Sequence, residues 1–181
     1  MGVPDDGRAA RHGVDVTFEV VHWKNLPEVE TYDAIYSDEV IVHFFDLGGF
    51  FARCWKLLRA NGVMAHKELH WRHASYGDVT PLGNHIQKVF GFTGNYIPLH
   101  KELRLLEENG FRLEGIFEIP MADYQKTIDM WLKNVFGHRV RPKALAGEQF
   151  YKDYRAYLKA ARRFMASEVY LLDIVTSRKM G

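Results

Sequence analysis

The chain has 181 residues, 47% hydrophobic and 26% charged, a globular composition that excludes a mostly disordered protein. Its 24 Lys and Arg stand against 23 Asp and Glu, a net charge of +1, so no global field draws it to nucleic acid or anionic lipid. The single cysteine, Cys54, excludes an internal disulfide and a cysteine-built zinc site.

No apolar run approaches the ~20 residues of a transmembrane helix. Met1 to Arg11 is charged and lacks the apolar centre of a secretory signal. The expectation is a single-domain cytoplasmic protein.

The first thirteen residues read as a loose start. Val14–Val21 alternates apolar and polar residues and is rich in β-branched ones, which predicts a strand. Asn25-Leu26-Pro27 ends it, and Tyr32–Ser37 is a second short strand. Val40–Phe45 either extends that strand or begins a helix. Phe50–Ala60 spaces Phe51, Trp55 and Leu58 for a buried helix face, with Asn61-Gly62 as its stop. Val63–Glu68 is the next strand.

Trp71–Asn95 reads as a mobile insert carrying a short helix near His85–Phe90. Pro98 starts a helix with Leu99, Leu103 and Leu106 on one face, and Asn109-Gly110 ends it. Phe111–Ile119 is a strand, Tyr124–Val135 and Gln149–Met165 are helices, and Val169–Ser177 is the last strand. Strands alternating with helices predict an α/β sheet, largely parallel; two helices precede the last strand, which leaves it free to run antiparallel.

His66, Glu68 and His70 recur at period two and so share one face of a strand. Two histidines and a carboxylate can hold Zn²⁺ or Fe²⁺, but Lys67 sits among them and a strand rarely aims three ligands at one ion. The expectation is no metal and a polar strand end at the mouth of a cleft, where Glu68 and Lys67 handle protons or anions. The aromatics of the insert and the late helices suit the wall of an acyl pocket as well as a core. Arg139, Arg141, Lys143, Arg162 and Arg163 read as a solvated face.

Five segments between Tyr32 and Ser177 resemble, in order, the C-terminal part of the cyclopropane-fatty-acid synthase and mycolic-acid cyclopropane synthase family, which are class I S-adenosylmethionine-dependent methyltransferases. Tyr32-Asp33-Ala34-Ile35-Tyr36-Ser37 followed by His43 is similar to the family's fourth strand, F-D-x-I-x-S ending in E-H. Leu57-Leu58-Arg59-Ala60-Asn61-Gly62-Val63-Met64 resembles "LLxPxGxM". Phe92-Thr93-Gly94-Asn95-Tyr96-Ile97-Pro98 resembles the lid segment "FPGGYLP". Tyr124–Trp131 resembles "HYxxTLxxW", and Phe150–Leu158 resembles "YxxwxxYL".

The resemblance implies an incomplete Rossmann-like methyltransferase sheet with flanking helices and an antiparallel last strand. The family's strand order is 3-2-1-4-5-7-6, and this sequence starts near the third strand. The Gly-rich turn and the ribose-binding acid of the family's first two strands are absent, so S-adenosyl-L-methionine is expected to bind weakly. The segments 71–97 and 120–166 are expected to form the lid and substrate side. His22, Trp23 and Lys24 look like the adenine-contacting segment, and Ser37 and Asp38 end the fourth strand; these five are the cofactor candidates.

Tyr124, His43 and Glu68 are the catalytic candidates, and Lys67, Phe92, Tyr96 and Tyr157 the substrate-binding ones. The family's base site departs here: its Glu position is Val42, its strand-five His is Lys67 with His66 one residue away, and its late Cys is Ala161. Only Tyr124 matches. The implied activity is methyl transfer to a fatty-acyl or other apolar acceptor, simple methylation rather than ring closure. The alternative is a non-catalytic truncated module that binds lipid or completes a partner chain. Partners are small molecules, with peripheral membrane contact and no nucleic acid. Loss of the central strands exposes an edge, expected either to pair Val14–Val21 directly with Tyr32–Ser37 or to drive self-association.

Overall fold

The computed structural model describes residue 9 and residues 11–73, 81–91, 94–137 and 140–181. Four strands, β1 (Tyr32–Asp38), β2 (Leu58–Trp71), β3 (Phe111–Ile119) and β4 (Tyr170–Lys179), form one open sheet in the order β1-β2-β4-β3. β1 and β2 run parallel, while β4 is antiparallel to both β2 and β3. This is the 4-5-7-6 portion of the expected order, with the expected antiparallel last strand. The sheet is mixed rather than largely parallel, because β4 enters between β2 and β3 from the opposite end.

Among the described residues, five helices flank the sheet: α1 (Leu47–Leu57), α2 (Pro81–Phe90), α3 (Leu99–Glu108), α4 (Met121–Gly137) and α5 (Val140–Met165). Period-two alternation along β2 and β4 divides the core in two. On one face Met64 and Val175 pack with Phe50, Phe51 and Cys54 of α1 and Leu106 of α3. On the other, Leu69, Trp71, Tyr170 and Leu172 pack with Ile86 of α2, Ile128 of α4 and Leu158 of α5.

α1 begins three residues before the predicted helix because the Asp46 side chain caps it, accepting from the Gly49 amide at 3.0 Å. It also ends sooner, at Leu57, since the chain is already extended at Leu58. Asn61-Gly62 therefore lies inside β2 instead of stopping a helix, with Asn61 in the left-handed region at φ 62°. α3 and β3 match their predicted bounds, and Gly110 turns between them at φ 82°, where an added Cβ would press the Trp55 ring at 3.0 Å. α5 is longer than predicted and breaks at Gly147, φ 85°.

Val14–Val21 is a correction: it forms no strand and is exposed along its length. Alternation supplies a face for a sheet, but a strand exists only when its backbone groups find a partner ladder. Among the described residues nothing pairs with the outer edge of β1, so the expected pairing with Tyr32–Ser37 is not formed. An apolar groove of about 270 Å³ runs beside that edge, lined by Trp23, Leu26, Tyr32, Ile35, Phe50 and Leu57 among others.

Phe51 is fully buried at the centre of the α1 side. Phe51→Ala removes its ring from a packed core and is expected to destabilise the fold by about 3–5 kcal/mol, measured by urea unfolding.

Candidate active site

β2 carries the polar residues that organise the site. His66, Glu68 and His70 share one face, as their spacing predicts, but they are buried rather than displayed at a cleft mouth. Glu102 reaches in from α3 and takes both histidines: His66 Nε2 donates to one carboxylate oxygen at 2.7 Å and His70 Nε2 to the other at 3.0 Å. His70 Nδ1 donates to Asp173 of β4 at 3.1 Å. Burial pulls the His70 imidazole down, but hydrogen bonds to Asp173 and Glu102 outweigh it and push its pKa up to about 9. Burial alone would raise the Glu102 carboxyl; its two histidine partners hold it well below the usual range instead. Three of the four ring nitrogens are thus spent on carboxylates. Among the described residues, no group of three or more His, Cys, Asp and Glu could hold a metal ion.

Glu68 takes a different course. One oxygen accepts from the Ile41 amide at 2.8 Å, in the 3₁₀ turn Ile41–His43 that follows β1, and the other has no hydrogen-bond partner. Burial at 2% exposure, aided by the charges of Glu102 and Glu39 and opposed by the Ile41 and Val40 amides, raises its pKa to about 7. Glu68 lines a small cavity beside Glu102 and one of about 190 Å³ at the carboxyl end of β1 and β2. The walls are apolar and aromatic: Ile86 and Phe90 of α2, Tyr96, Ile128 and Trp131 of α4, and Tyr157 and Leu158 of α5.

Tyr124 of α4 enters the same cavity and donates its hydroxyl to Glu39 Oε2 at 2.8 Å. Burial and the Glu39 charge push its pKa far above the ordinary tyrosine value, so it acts as a neutral donor. Glu39, the residue after β1, escaped the sequence reading; nothing in its neighbours marks it. Lys67 bridges Asp38 at 2.6 Å and Glu39 at 3.3 Å. Although burial opposes it, those carboxylates raise its pKa and keep it charged.

The structure brings Tyr124, His43, Glu68, Tyr96 and Tyr157 to one cavity, with Lys67 behind its acidic floor. Burial lowers the His43 pKa. Phe92 and Arg139 lie outside the described residues. Lys143 and Arg162 are ion-paired with Glu148 and Asp129.

The cofactor candidates lie elsewhere. Trp23 packs against Phe44 and Phe50, at ring-centroid distances of 5.9 and 5.6 Å. His22 accepts from the Lys24 amide at 3.2 Å, and Lys24 pairs with Asp46 at 3.2 Å. Trp23 lines grooves that Tyr124 does not share. The Ser37 hydroxyl is buried without a hydrogen-bond partner near the end of β1, but Ser37 lines neither of the grooves that Trp23 lines. The residues present do not fit a whole nucleoside cradle. The carboxylates beside Trp23, Glu28 and Asp46, are ion-paired with Arg53, Lys56 and Lys24, and the edge of β1 where further strands would stand is open.

A parallel pair followed by an antiparallel strand inserted between it and its neighbour defines the class I methyltransferase fold, and solved structures agree. A putative sarcosine dimethylglycine methyltransferase from Galdieria sulphuraria superposes with a TM-score of 0.79 at 16% identity, covering 97% of this chain and 64% of that one. The cyclopropane synthase MmaA2 from Mycobacterium tuberculosis gives 0.81 at 19% identity, covering 95% and 65%. The mycolic acid cyclopropane synthase CmaA1, complexed with SAH and CTAB, gives 0.76 at 21%, covering 87% and 58%. The chain thus spans less than two thirds of these relatives. No curated protein matches its sequence. The family model described as mycolic acid cyclopropane synthetase matches residues 7–174, and the chain belongs to that family.

The buried charges give stability a distinctive pH dependence. Glu68 carries a proton when folded that it sheds unfolded, so its contribution declines as pH rises from 4.5 through about 7. His70 contributes fully below 6.5 and loses its contribution as pH rises through about 9. Glu102 acts oppositely, contributing above 4.5 and losing that as pH falls. The urea midpoint is expected to peak near pH 5 and to fall steadily toward pH 9; a flat profile would contradict this.

Proposed function

We propose that the chain is the acceptor-side part of an S-adenosyl-L-methionine-dependent methyltransferase acting on a fatty-acyl or other apolar acceptor. The observation that carries this reading is the cavity at the carboxyl ends of β1 and β2, where open α/β sheets place ligands, with aromatic and aliphatic walls and a polar floor. Family membership supports it. When bound, the cofactor supplies an electrophilic methyl group on a sulfonium centre. The chain's own residues do the rest. Tyr96, Trp131 and Tyr157 exclude water and hold the apolar acceptor. Tyr124 and Lys67 fix the Glu39 carboxylate, and Glu68, with its raised pKa, stands ready to take or give a proton near neutral pH. The described parts of segments 71–97 and 120–166 supply the lid and substrate side. The protein works in the cytoplasm, with at most peripheral contact with a membrane.

A second reading is a non-catalytic module that binds lipid or completes a partner chain. The open edge of β1 and the groove beside it favour it, because such an edge is a template for another strand.

Methyl transfer from labelled cofactor to a lipid extract separates the two. The 181-residue chain is expected to transfer little and, by calorimetry, to bind the cofactor more weakly than micromolar. A version extended at its N-terminus with a Gly-rich strand-turn-helix is expected to transfer methyl to the lipid fraction. An inactive extended version that still binds lipid supports the module.

A further inference from the structure

The cavity at the carboxyl ends of β1 and β2 has a mouth and a closed end, and exposure tells them apart. Phe90 of α2 and Trp131 of α4 line it yet remain 45% and 43% exposed, so they stand at the mouth. Ile128 of α4 and Leu158, Ala161 and Met165 of α5 line it and are at most 4% exposed, so they form the inner wall. Leu158, Ala161 and Met165 follow one another at spacings of three and four residues and share one face of α5, along about 10 Å of helix. The same four residues belong to the buried cluster that holds Tyr170 and Leu172 of β4. A chain entering past Trp131 therefore runs into packed core.

Volume sets what fits. The cavity measures about 190 Å³. A dry apolar cavity of ~150 Å³ holds one benzene ring, about 25 Å³ per carbon, and by that proportion this one holds about eight carbons. Pockets for larger ligands begin near ~300 Å³. A long chain attacked at an internal carbon needs room for hydrocarbon on both sides of that carbon. A hollow closed at Ala161 and Met165 gives room on one side only.

We propose that the acceptor is a compact hydrocarbon group, one ring or a short chain of about eight carbons, housed whole between Trp131 and the wall formed by Ala161 and Met165, and that these two α5 residues set its size. This rests on the reading of the cavity as the acceptor site, and of the acceptors named there it selects the compact apolar one over the long fatty-acyl chain. Ala161 has the smallest side chain in the lining, so a larger residue there shortens the hollow. Met165 is long and unbranched, so truncating it deepens the hollow.

The test is calorimetry on the 181-residue chain without any methyl donor, with the straight-chain 1-alkanols from butanol to decanol as probes. Affinity is expected to rise about fourfold per added carbon, the worth of one buried methylene. The rise is expected to stop at about the eighth carbon and to stay level through nonanol and decanol. Met165→Ala is expected to carry it on to decanol. Ala161→Leu is expected to stop it about three carbons sooner, because the leucine side chain takes the room of those carbons. Neither residue lines the groove beside β1, so a limit that moves with them belongs to this cavity. Where Ala161→Leu fails to fold, the series on the unaltered chain and on Met165→Ala decides the matter. Affinity that keeps climbing to decanol on the unaltered chain overturns the size limit and leaves the cavity as acceptor site. No binding of any alkanol, or a limit indifferent to the substitutions, overturns the limit and the acceptor site together.

Discussion

Glu102 holds two histidines of the central strand at once, and the site depends on that grip. Side chains alternate along a strand, so fixing His66 and His70 on the α3 side fixes Glu68 between them and turns Lys67 to the opposite face. A slip of one residue would invert all four. The cost is a cluster of charges removed from water, tolerated because each is hydrogen-bonded to an opposite partner. Removing one partner would leave an unpaired buried charge, far more costly than the pair itself is worth.

Two carboxylates follow from this framework with different character. Glu39 is tied on two sides, to a tyrosine and a lysine, and so links α4 to the ends of β1 and β2. Glu68 instead meets the backbone of the turn after β1, with hydrogen bonds from the Ile41 and Val40 amides that only partly offset its burial.

Most strands and helices were legible in the sequence because their signals are local, apolar periodicity with Gly or Asn at their ends, whereas the strand order came only from the family resemblance. Phe111–Ile119 and the helix after Pro98 are cases where period and punctuation agree. Val14–Val21 was misread because alternation reports a capacity for pairing and says nothing of whether a neighbour is there. The His66–Glu68–His70 face was visible, but its partner Glu102 lies on a helix more than thirty residues away and reads simply as one charge on an amphipathic face. Glu39 left no signal, because its importance comes from a left-handed backbone at a strand end and from Tyr124, 85 positions further along. Tyr124 itself was found only through its family resemblance.

The cavity is enclosed by α2, α4 and α5 against the carboxyl ends of β1 and β2, while the groove along the outer edge of β1 is lined by Trp23, Tyr32, Ile35 and Phe50. The two hollows share no lining residue, so a side chain can change in one without altering the wall of the other.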